Sequence, residues 1–437
     1  MGRGSSNGDA RVYGVPMKCV STREKSPAVS LRAAILAGLA PDGGLYVPSA
    51  IPRQPDAWWQ ALRGQSFQDV ALAVAQALAG DEFDTATLAA LVRAALNFPV
   101  RVVELEKGLG VLELFHGPTF AFKDFGARTL AQFMSRANAG GPPITILVAT
   151  SGDTGSAVAC AFHNLPNTRV VVLYPKGQVS AVQEAQFTTL GGNVTAVEVA
   201  GTFDDCQRLT KEAFGDRDLA GRVRLTSANS ISLGRLIPQV FYYAYAALQR
   251  DASTPLCVSV PSGNLGNLVA GLIVWKMGAP IARFSAPTTA NDTLPRYLST
   301  GRVEPRRSVP TLANAMDVGN PSNLERLQWL FGGDVAAARA VVRSHACSDD
   351  DVRRGVRALY DTHAYVADPH TAIGYLGCDP TEHCVFLATA HPAKFREVVE
   401  PIVGTPVPMP DALAATLARK RVVQHISPSL RELSALL

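Results

Sequence analysis

The spacing of apolar and polar residues changes about a quarter of the way along the chain. Before about residue 100, apolar positions recur at helical spacing in residues 30–40, 67–78 and 85–96, and Ser66 is placed to cap the second of these helices. A Pro-Asp-Gly-Gly turn at residues 41–44 follows the first. We therefore expect residues 17–100 to form a small, mainly helical domain.

From about residue 100 onward, short β-branched apolar runs alternate with helical segments. The runs that predict buried strands are residues 111–114, 144–149, 170–174, 194–199, 256–260 and 385–388. The alternation predicts an α/β fold with open, twisted, mostly parallel sheets and helices on both faces. Ligands of such folds bind beyond the carboxyl ends of the strands, so the loops after the strands are the candidates for a site.

Composition narrows the possible functions. The chain has 437 residues, 47% hydrophobic and 18% charged, which is enough material for two or three domains with a large core. Its formal net charge of +4 is weak and dispersed, which does not favour nucleic-acid binding. No run of about 18 apolar residues predicts a membrane span. Residues 1–16 are rich in Gly and Ser, so we expect a flexible tail there.

The cysteines and histidines suggest neither a disulfide framework nor a metal site. The chain has seven cysteines and eight histidines, without a Cys-x-x-Cys pair or a His-Glu-x-x-His motif. An odd number of cysteines in this pattern suits a reducing cytoplasm, and we expect a cytoplasmic protein.

One lysine, Lys123, is predicted to lie where a loop meets the start of a helix over residues 124–137, among the aromatic residues Phe115, Phe120, Phe122 and Phe125. Poor solvation and the positive end of a helix dipole both favour a neutral amine. A neutral amine is a nucleophile, and its use here would be a Schiff base to a carbonyl cofactor. The alternative is a lysine whose ammonium reaches solvent past apolar neighbours.

Three loops that follow predicted strands offer further chemistry. Residues 149–155 bring hydroxyls and a helix start together, which suits a carboxylate or phosphate, although capping of the turn also explains them. Residues 261–267 contain Gly-x-x-Gly between a strand and a helix, which suits a phosphate smaller than a nucleotide. Residues 387–392 place Thr389 at a strand end, where it could equally be an ordinary turn residue; for His391, a structural role is favoured over that of a base.

Together these parts match what pyridoxal 5′-phosphate requires: a partner for its aldehyde, a cup for its phosphate and a partner for its pyridine nitrogen. The chain resembles the threonine synthase family, in the tryptophan-synthase-β-like group of pyridoxal-phosphate enzymes (fold type II). The segments that carry the resemblance are residues 38–48 (GLAPDGGLYVP), 116–124 (HGPTFAFKD), 151–155 (SGDTG), 263–267 (GNLGN), 317–323 (DVGNPSN), 368–372 (DPHTA) and 389–395 (TAHPAKF). The resemblance covers about residues 17–435.

The resemblance implies a carbon–oxygen lyase that converts O-phospho-L-homoserine and water to L-threonine and phosphate, the last step of threonine biosynthesis. It implies that residues 17–100 are the N-terminal domain of that family and that residues 101–437 are a cofactor-dependent core of two α/β subdomains. We expect a monomer or homodimer. The alternatives are a threonine or serine dehydratase-like lyase, and a catalytically silent relative that binds phosphate ligands.

The resemblance also implies roles for individual residues. It places the catalytic Schiff base on Lys123, the pyridine nitrogen on Thr389 and the ring hydroxyl near Asp153, where related enzymes often have Asn. The cofactor phosphate would be held by Gly263, Asn264, Leu265, Gly266 and Asn267. The substrate carboxylate would be held by Thr150, Ser151 and Thr154. The sequence itself offers Ser230, Arg235 and Lys176 as candidates for binding the departing phosphate, although Arg235 could equally pair with a surface carboxylate. The start of the N-terminal domain departs from the family pattern at residues 24–27.

Overall fold

The computed structural model describes residues 17–79, 82–250 and 254–437, so the tail expected at residues 1–16 lies outside the described part of the chain. Its α-helices are α1 Leu31–Ala37, α2 Asp56–Ala61, α3 Phe67–Ala79, α4 Thr85–Ala95, α5 Lys123–Ala137, α6 Asp153–Phe162, α7 Ala181–Thr188, α8 Phe203–Gly215, α9 Arg217–Arg222, α10 Leu233–Leu248, α11 Gly266–Lys276, α12 Thr293–Thr300, α13 Leu324–Leu330, α14 Val335–Val341, α15 Asp349–His363, α16 Pro369–Leu376, α17 Arg396–Val403, α18 Asp411–Leu417 and α19 Leu430–Leu436. Short 3-10 helices span Asn314–Met316 and Pro392–Phe395.

The strands form three sheets. They are β1 Lys18–Ser21, β2 Val29–Ser30, β3 Tyr46–Pro48, β4 Arg101–Glu106, β5 Leu109–Glu113, β6 Ile144–Ala149, β7 Thr168–Pro175, β8 Val194–Val199, β9 Leu225–Thr226, β10 Leu256–Ser259, β11 Arg283–Ser285, β12 Val342–Arg343, β13 His383–Ala388 and β14 Gln424–Ile426. The first three make a small antiparallel sheet, and helices α1 to α4 accompany it.

The two larger sheets confirm the predicted α/β class. One has the order β14-β8-β7-β6-β9 and is parallel throughout. The other has the order β12-β11-β10-β13-β5-β4 and is parallel except where β4 meets β5. All six residues of β6 are buried, because a parallel strand covered by helices on both faces has no side in water.

The strands that periodicity did not predict are short or weakly patterned. β9 and β12 have two residues each, and β11 and β14 have three, which is too few for a period-2 signal. β4 has no buried residue and lies at the edge of its sheet, so its apolar pattern is weak.

A long buried helix joins the helical N-terminal part to the sheets. α10 packs against α3, α5 and α11, and nearly all of its residues are buried despite the proline at position 238. This packing places the starts of α5 and α11 near each other, at the carboxyl ends of the parallel strands. Among the described residues, no helix has both the length and the apolar character needed to cross a bilayer.

The structure differs from the sequence-based expectation about disulfides. Cys378 forms a disulfide with Cys384, the second residue of β13, and their Cα atoms are 5.8 Å apart. The prediction relied on the absence of a Cys-x-x-Cys pair, and this wider spacing carries no comparable signal. The remaining cysteines are free.

Candidate active site

One cavity, of about 1210 Å³, gathers the strand-end loops and the start of α5. The sequence-predicted residues that line it are Lys123, Thr150, Ser151, Asp153, Thr154, Ser230, Arg235, Gly263, Asn264, Leu265, Gly266, Asn267 and Thr389. Lys176 does not line the cavity: it follows β7 and its side chain is exposed. The fold therefore brings the predicted aldehyde partner and the predicted phosphate loop into the same space.

Lys123 is the first residue of α5, one residue earlier than predicted, and it is half-buried. Its Nζ lies 5.9 Å from the centre of the Phe122 ring. The other phenylalanines have different roles, since Phe125 packs edge-on into the core, and Phe115 and Phe120 pack against a histidine. The amine of Lys123 is thus flanked by fewer aromatic rings than predicted.

The pKa of Lys123 is lowered to about 8, mainly because burial penalises the ammonium. The charge of Asp153 opposes this shift, while the cations of Lys394 and Arg235 reinforce it. At neutral to mildly alkaline pH, a useful fraction of this amine is therefore uncharged.

The turn before Lys123 is held by a buried carboxylate. Asp124 accepts hydrogen bonds from Thr119 N (2.9 Å) and Thr119 Oγ1 (2.7 Å), and burial raises its pKa to about 6 in spite of those bonds. Phe122 N donates to Thr389 O (2.8 Å), which ties the turn to the end of β13. The backbone thus fixes Lys123 relative to the hydroxyl of Thr389.

The glycine loop at residues 263–267 presents a row of backbone donors. Among the described residues, none accepts a hydrogen bond from the backbone N–H of Gly263, Asn264, Leu265, Gly266 or Asn267. Leu265 has φ of +62° and provides no side-chain cap, so the amides at the start of α11 stay available. This is the arrangement that binds phosphate at a helix N-terminus.

Two side chains complete the loop. Asn267 Oδ1 accepts from the hydroxyls of Tyr242 (2.5 Å) and Tyr243 (2.7 Å), while its buried Nδ2 has no partner among the described residues. Asn264 Nδ2 donates to Ser230 Oγ (2.6 Å). The hydroxyl of Ser230, a predicted substrate-binding residue, is thus already engaged in a hydrogen bond within the protein. An unpartnered buried amide in this position indicates that an acceptor from a ligand belongs there.

The loop after β6 is organised by Thr150, whose hydroxyl is fully engaged. Thr150 Oγ1 accepts from Gly152 N (2.9 Å) and Gly155 N (2.8 Å) and donates to Gly152 O (3.1 Å). It therefore shapes the loop, whereas Ser151 and Thr154 make no side-chain hydrogen bond to a described residue and line the cavity. Of these three hydroxyl residues, only Thr150 closes the turn through its side chain, as the alternative interpretation of this loop expected.

Asp153, the first residue of α6, is buried beside a lysine that sequence reasoning did not single out. Lys394 Nζ lies 2.6 Å from Asp153 Oδ1, and Gln183 Nε2 donates to the same oxygen at 2.9 Å. Burial alone would raise the pKa of Asp153, but the cations of Lys394 and Lys123 outweigh burial and hold it well below its usual range. Asp153 is thus a buried carboxylate that stays ionised.

Arg235 is buried and pairs with no carboxylate among the described residues, contrary to the alternative of a surface ion pair. Its Nη1 donates to Ala228 O (2.5 Å), and its buried Nε has no partner in the described residues. Burial lowers its pKa to about 10. A cation with a free donor at the cavity wall is suited to an anionic ligand.

Thr389 and His391 separate into two roles. The Thr389 hydroxyl makes no hydrogen bond to a described residue and lines the cavity. His391 Nδ1 accepts from Ala393 N (3.1 Å) and its ring packs edge-on against Phe115, and burial lowers its pKa to about 4. His391 therefore caps a short helix as a neutral ring.

Comparisons with known proteins agree with this geometry. The family model described as pyridoxal-phosphate dependent enzyme matches residues 99–385. The models described as threonine synthase N terminus and threonine synthase, C-terminal match residues 18–96 and 371–436. Threonine synthase of Serratia marcescens is 43% identical over 419 residues, covering 94% of this chain and 97% of that protein. That of Escherichia coli is 42% identical over 404 residues, covering 91% and 94%.

Solved structures give the same result. The crystal structure of threonine synthase from Escherichia coli superposes with a TM-score of 0.91 at 41% identity, covering 96% of this chain and 99% of that one. A threonine synthase from Brucella melitensis, described as PLP bound, superposes with a TM-score of 0.90 at 36% identity, covering 96% and 98%. The chain therefore belongs to the threonine synthase family of pyridoxal-phosphate-dependent enzymes.

Proposed function

We propose that this chain converts O-phospho-L-homoserine and water to L-threonine and phosphate with pyridoxal 5′-phosphate as its cofactor. The observation that carries the proposal is the shared cavity: the low-pKa amine of Lys123 and the row of free N–H groups at residues 263–267 line the same space. The family membership supports the identity of the reaction.

The residues present fit the cofactor. Lys123 would hold the aldehyde carbon, the Gly263–Asn267 loop with the unpaired Asn267 amide would hold the phosphate, and Thr389 would meet the pyridine nitrogen. Asp153 would lie near the ring hydroxyl. When bound, pyridoxal phosphate supplies an electron sink for carbanion chemistry at the substrate.

Lys123 would carry the proton transfers. With a pKa near 8, its amine can accept a proton from the substrate's Cα. Once it has given that proton up, the neutral amine can accept another from Cβ, and it can return protons later in the reaction. Lys123 is the first residue of α5, and the hydrogen bond from Phe122 N to Thr389 O holds the backbone just before it. The amine is therefore carried by a fixed segment rather than by a flexible loop. Positioning of this kind supplies much of the advantage of an enzymatic base.

The substrate's two anionic groups would be held by different loops. Ser151 and Thr154, at the start of α6, have free hydroxyls for the carboxylate, while Thr150 maintains the loop shape. Arg235 offers an unpaired donor for the leaving phosphate, with Ser230 at the same wall. We leave Lys176 out of the proposed site because its exposed side chain is outside the cavity.

The domain division, the compartment and the assembly remain predictions. A boundary near residue 100 is supported by the family models, one of which ends at residue 96 and the next of which begins at residue 99. A cytoplasmic monomer or homodimer is our expectation from the sequence.

A product assay tests the function. Purified chain with pyridoxal phosphate and O-phospho-L-homoserine should release threonine and phosphate in equal amounts, and the Lys123→Ala variant should release neither. Formation of 2-oxobutyrate as sole product would overturn the proposal in favour of a dehydratase. A wild-type chain that takes up no cofactor would favour a silent relative.

A further inference from the structure

Lys394 is a buried lysine beside the candidate active site. It lies in the short helix Pro392–Phe395, just beyond Thr389, with 0% of its surface exposed. Its Nζ pairs with Asp153 Oδ1 at 2.6 Å and donates to Thr119 O at 2.9 Å. A buried ion pair contributes little net stability, because desolvation offsets most of the attraction. Its position beside the cavity therefore suggests a role other than stability.

The pair orients Asp153. Both Lys394 Nζ and Gln183 Nε2 bind Oδ1, and no described residue donates to Oδ2. Asp153 lines the cavity, whereas Lys394 does not and so acts from behind it. The two donors thus fix the carboxylate and leave its second oxygen free for a ligand in the cavity.

The pair also sets the charge near Lys123. The Asp153 carboxylate favours a proton on the Lys123 nitrogen, and the Lys394 ammonium disfavours it, so the two act in opposite directions. The other titratable groups that face these residues are Arg235, Asp124 and His391. Of these, Arg235 is a second cation, Asp124 is a buried carboxyl group whose pKa is raised to about 6, and His391 is a neutral ring. Lys394 is the cation in direct contact with Asp153.

We propose that Lys394 is a positioning residue for the reaction: it holds Asp153 as an oriented carboxylate and cancels that charge where the Lys123 nitrogen works. The proposal rests on the proposed function, since it assumes that the cavity binds pyridoxal phosphate. Lys394 itself touches neither cofactor nor substrate in this assignment.

The test follows the visible absorption of pyridoxal phosphate bound to the full-length enzyme as the pH is raised. The midpoint of the spectral change reports the proton on the Lys123 nitrogen. Lys394→Met should raise the midpoint by about one pH unit, because it leaves the Asp153 charge uncompensated. Asp153→Asn should lower it, and Lys394→Arg should stay close to wild type. The double variant Lys394→Met/Asp153→Asn should return toward the wild-type midpoint.

The outcomes separate positioning from mere stability. A Lys394→Met enzyme that melts at a lower temperature with an unchanged midpoint overturns the proposal. If Lys394→Met does not fold, the comparison of Asp153→Asn with the double variant decides. Removing both charges should bring the midpoint back up from its value in Asp153→Asn toward that of wild type. Equal midpoints for Asp153→Asn and the double variant would overturn the proposal. The spectra require no substrate, so a wild type that binds cofactor but makes no threonine would refute the proposed function without affecting this test.

Discussion

Arg326 is expected to couple the N-terminal part of the chain, at Tyr46, to the glycine loop at residues 263–267. It is completely buried in α13, and its nearest acceptors are backbone carbonyls and an amide oxygen rather than a carboxylate. Nε and Nη2 donate to Tyr46 O (3.1 and 2.9 Å), Nη2 to Ile231 O (2.7 Å) and Nη1 to Asn323 Oδ1 (2.7 Å). Asn323 Nδ2 in turn donates to Asn264 O (3.0 Å) in the glycine loop.

The cost of Arg326→Met follows from these contacts. The substitution keeps most of the volume but leaves the acceptors on Tyr46, Ile231 and Asn323 without a donor, at about 1–3 kcal/mol each. Relief from burying a cation offsets part of this, so the free energy of unfolding should fall by about 3–5 kcal/mol. Arg326→Lys should cost less, because it keeps the charge but loses the planar fork. Loosening of Asn264 should weaken pyridoxal phosphate binding about tenfold, or ~1.4 kcal/mol.

Two measurements check this prediction: unfolding of the cofactor-free enzyme followed by circular dichroism, and a fluorescence titration with pyridoxal phosphate. Arg302→Met is the matched control, since that arginine is exposed and its guanidinium bonds to no described residue. An Arg326→Met variant with wild-type stability and wild-type cofactor affinity would refute the reasoning.

Three further predictions concern the site itself. Gly263→Ala should weaken pyridoxal phosphate binding at least tenfold, because its Cβ would lie 2.7 Å from Met316 Cα; Gly215→Ala, with nothing within 4 Å, is the control, and equal affinities would contradict the loop assignment. The rate of cofactor uptake by the cofactor-free enzyme should rise with pH and level off above about 8, because the lowered pKa of Lys123 makes the amine neutral there; a pH-independent rate would contradict this. Thr389→Val should lower kcat about tenfold by removing one hydrogen bond, and an unchanged kcat would remove Thr389 from the site.

The predicted residues that line the cavity are marked by short, local sequence patterns. Lys123 and the glycine loop each lie where a predicted strand or turn leads directly into a helix, so a few neighbouring residues define them. Lys176 was predicted because a departing phosphate needs cationic donors, but the residue type does not fix the direction in which its side chain points. Lys176 follows β7, yet its side chain is exposed on the surface.

The parts that were missed depend on contacts between distant segments. Lys394 belongs to the segment 389–395 that carries the resemblance, but nothing in that segment indicates its partner Asp153, which begins α6 beside the other large sheet. Arg326 meets carbonyls that any sequence would provide, so no residue type marks the contact. Thr150 was predicted as a ligand because hydroxyls near a helix start can bind anions, but the same hydroxyl also closes its own turn. Only the folded chain decides between such uses.

The most direct test of the account is to reduce the cofactor-loaded enzyme with borohydride and map the modified peptide by mass spectrometry. Reduction makes the bond between a lysine nitrogen and the cofactor aldehyde permanent. The account predicts a phosphopyridoxyl group on Lys123 and loss of the modification in Lys123→Ala. A modification on Lys394 or Lys176, or none on a chain that turns over substrate, would contradict it.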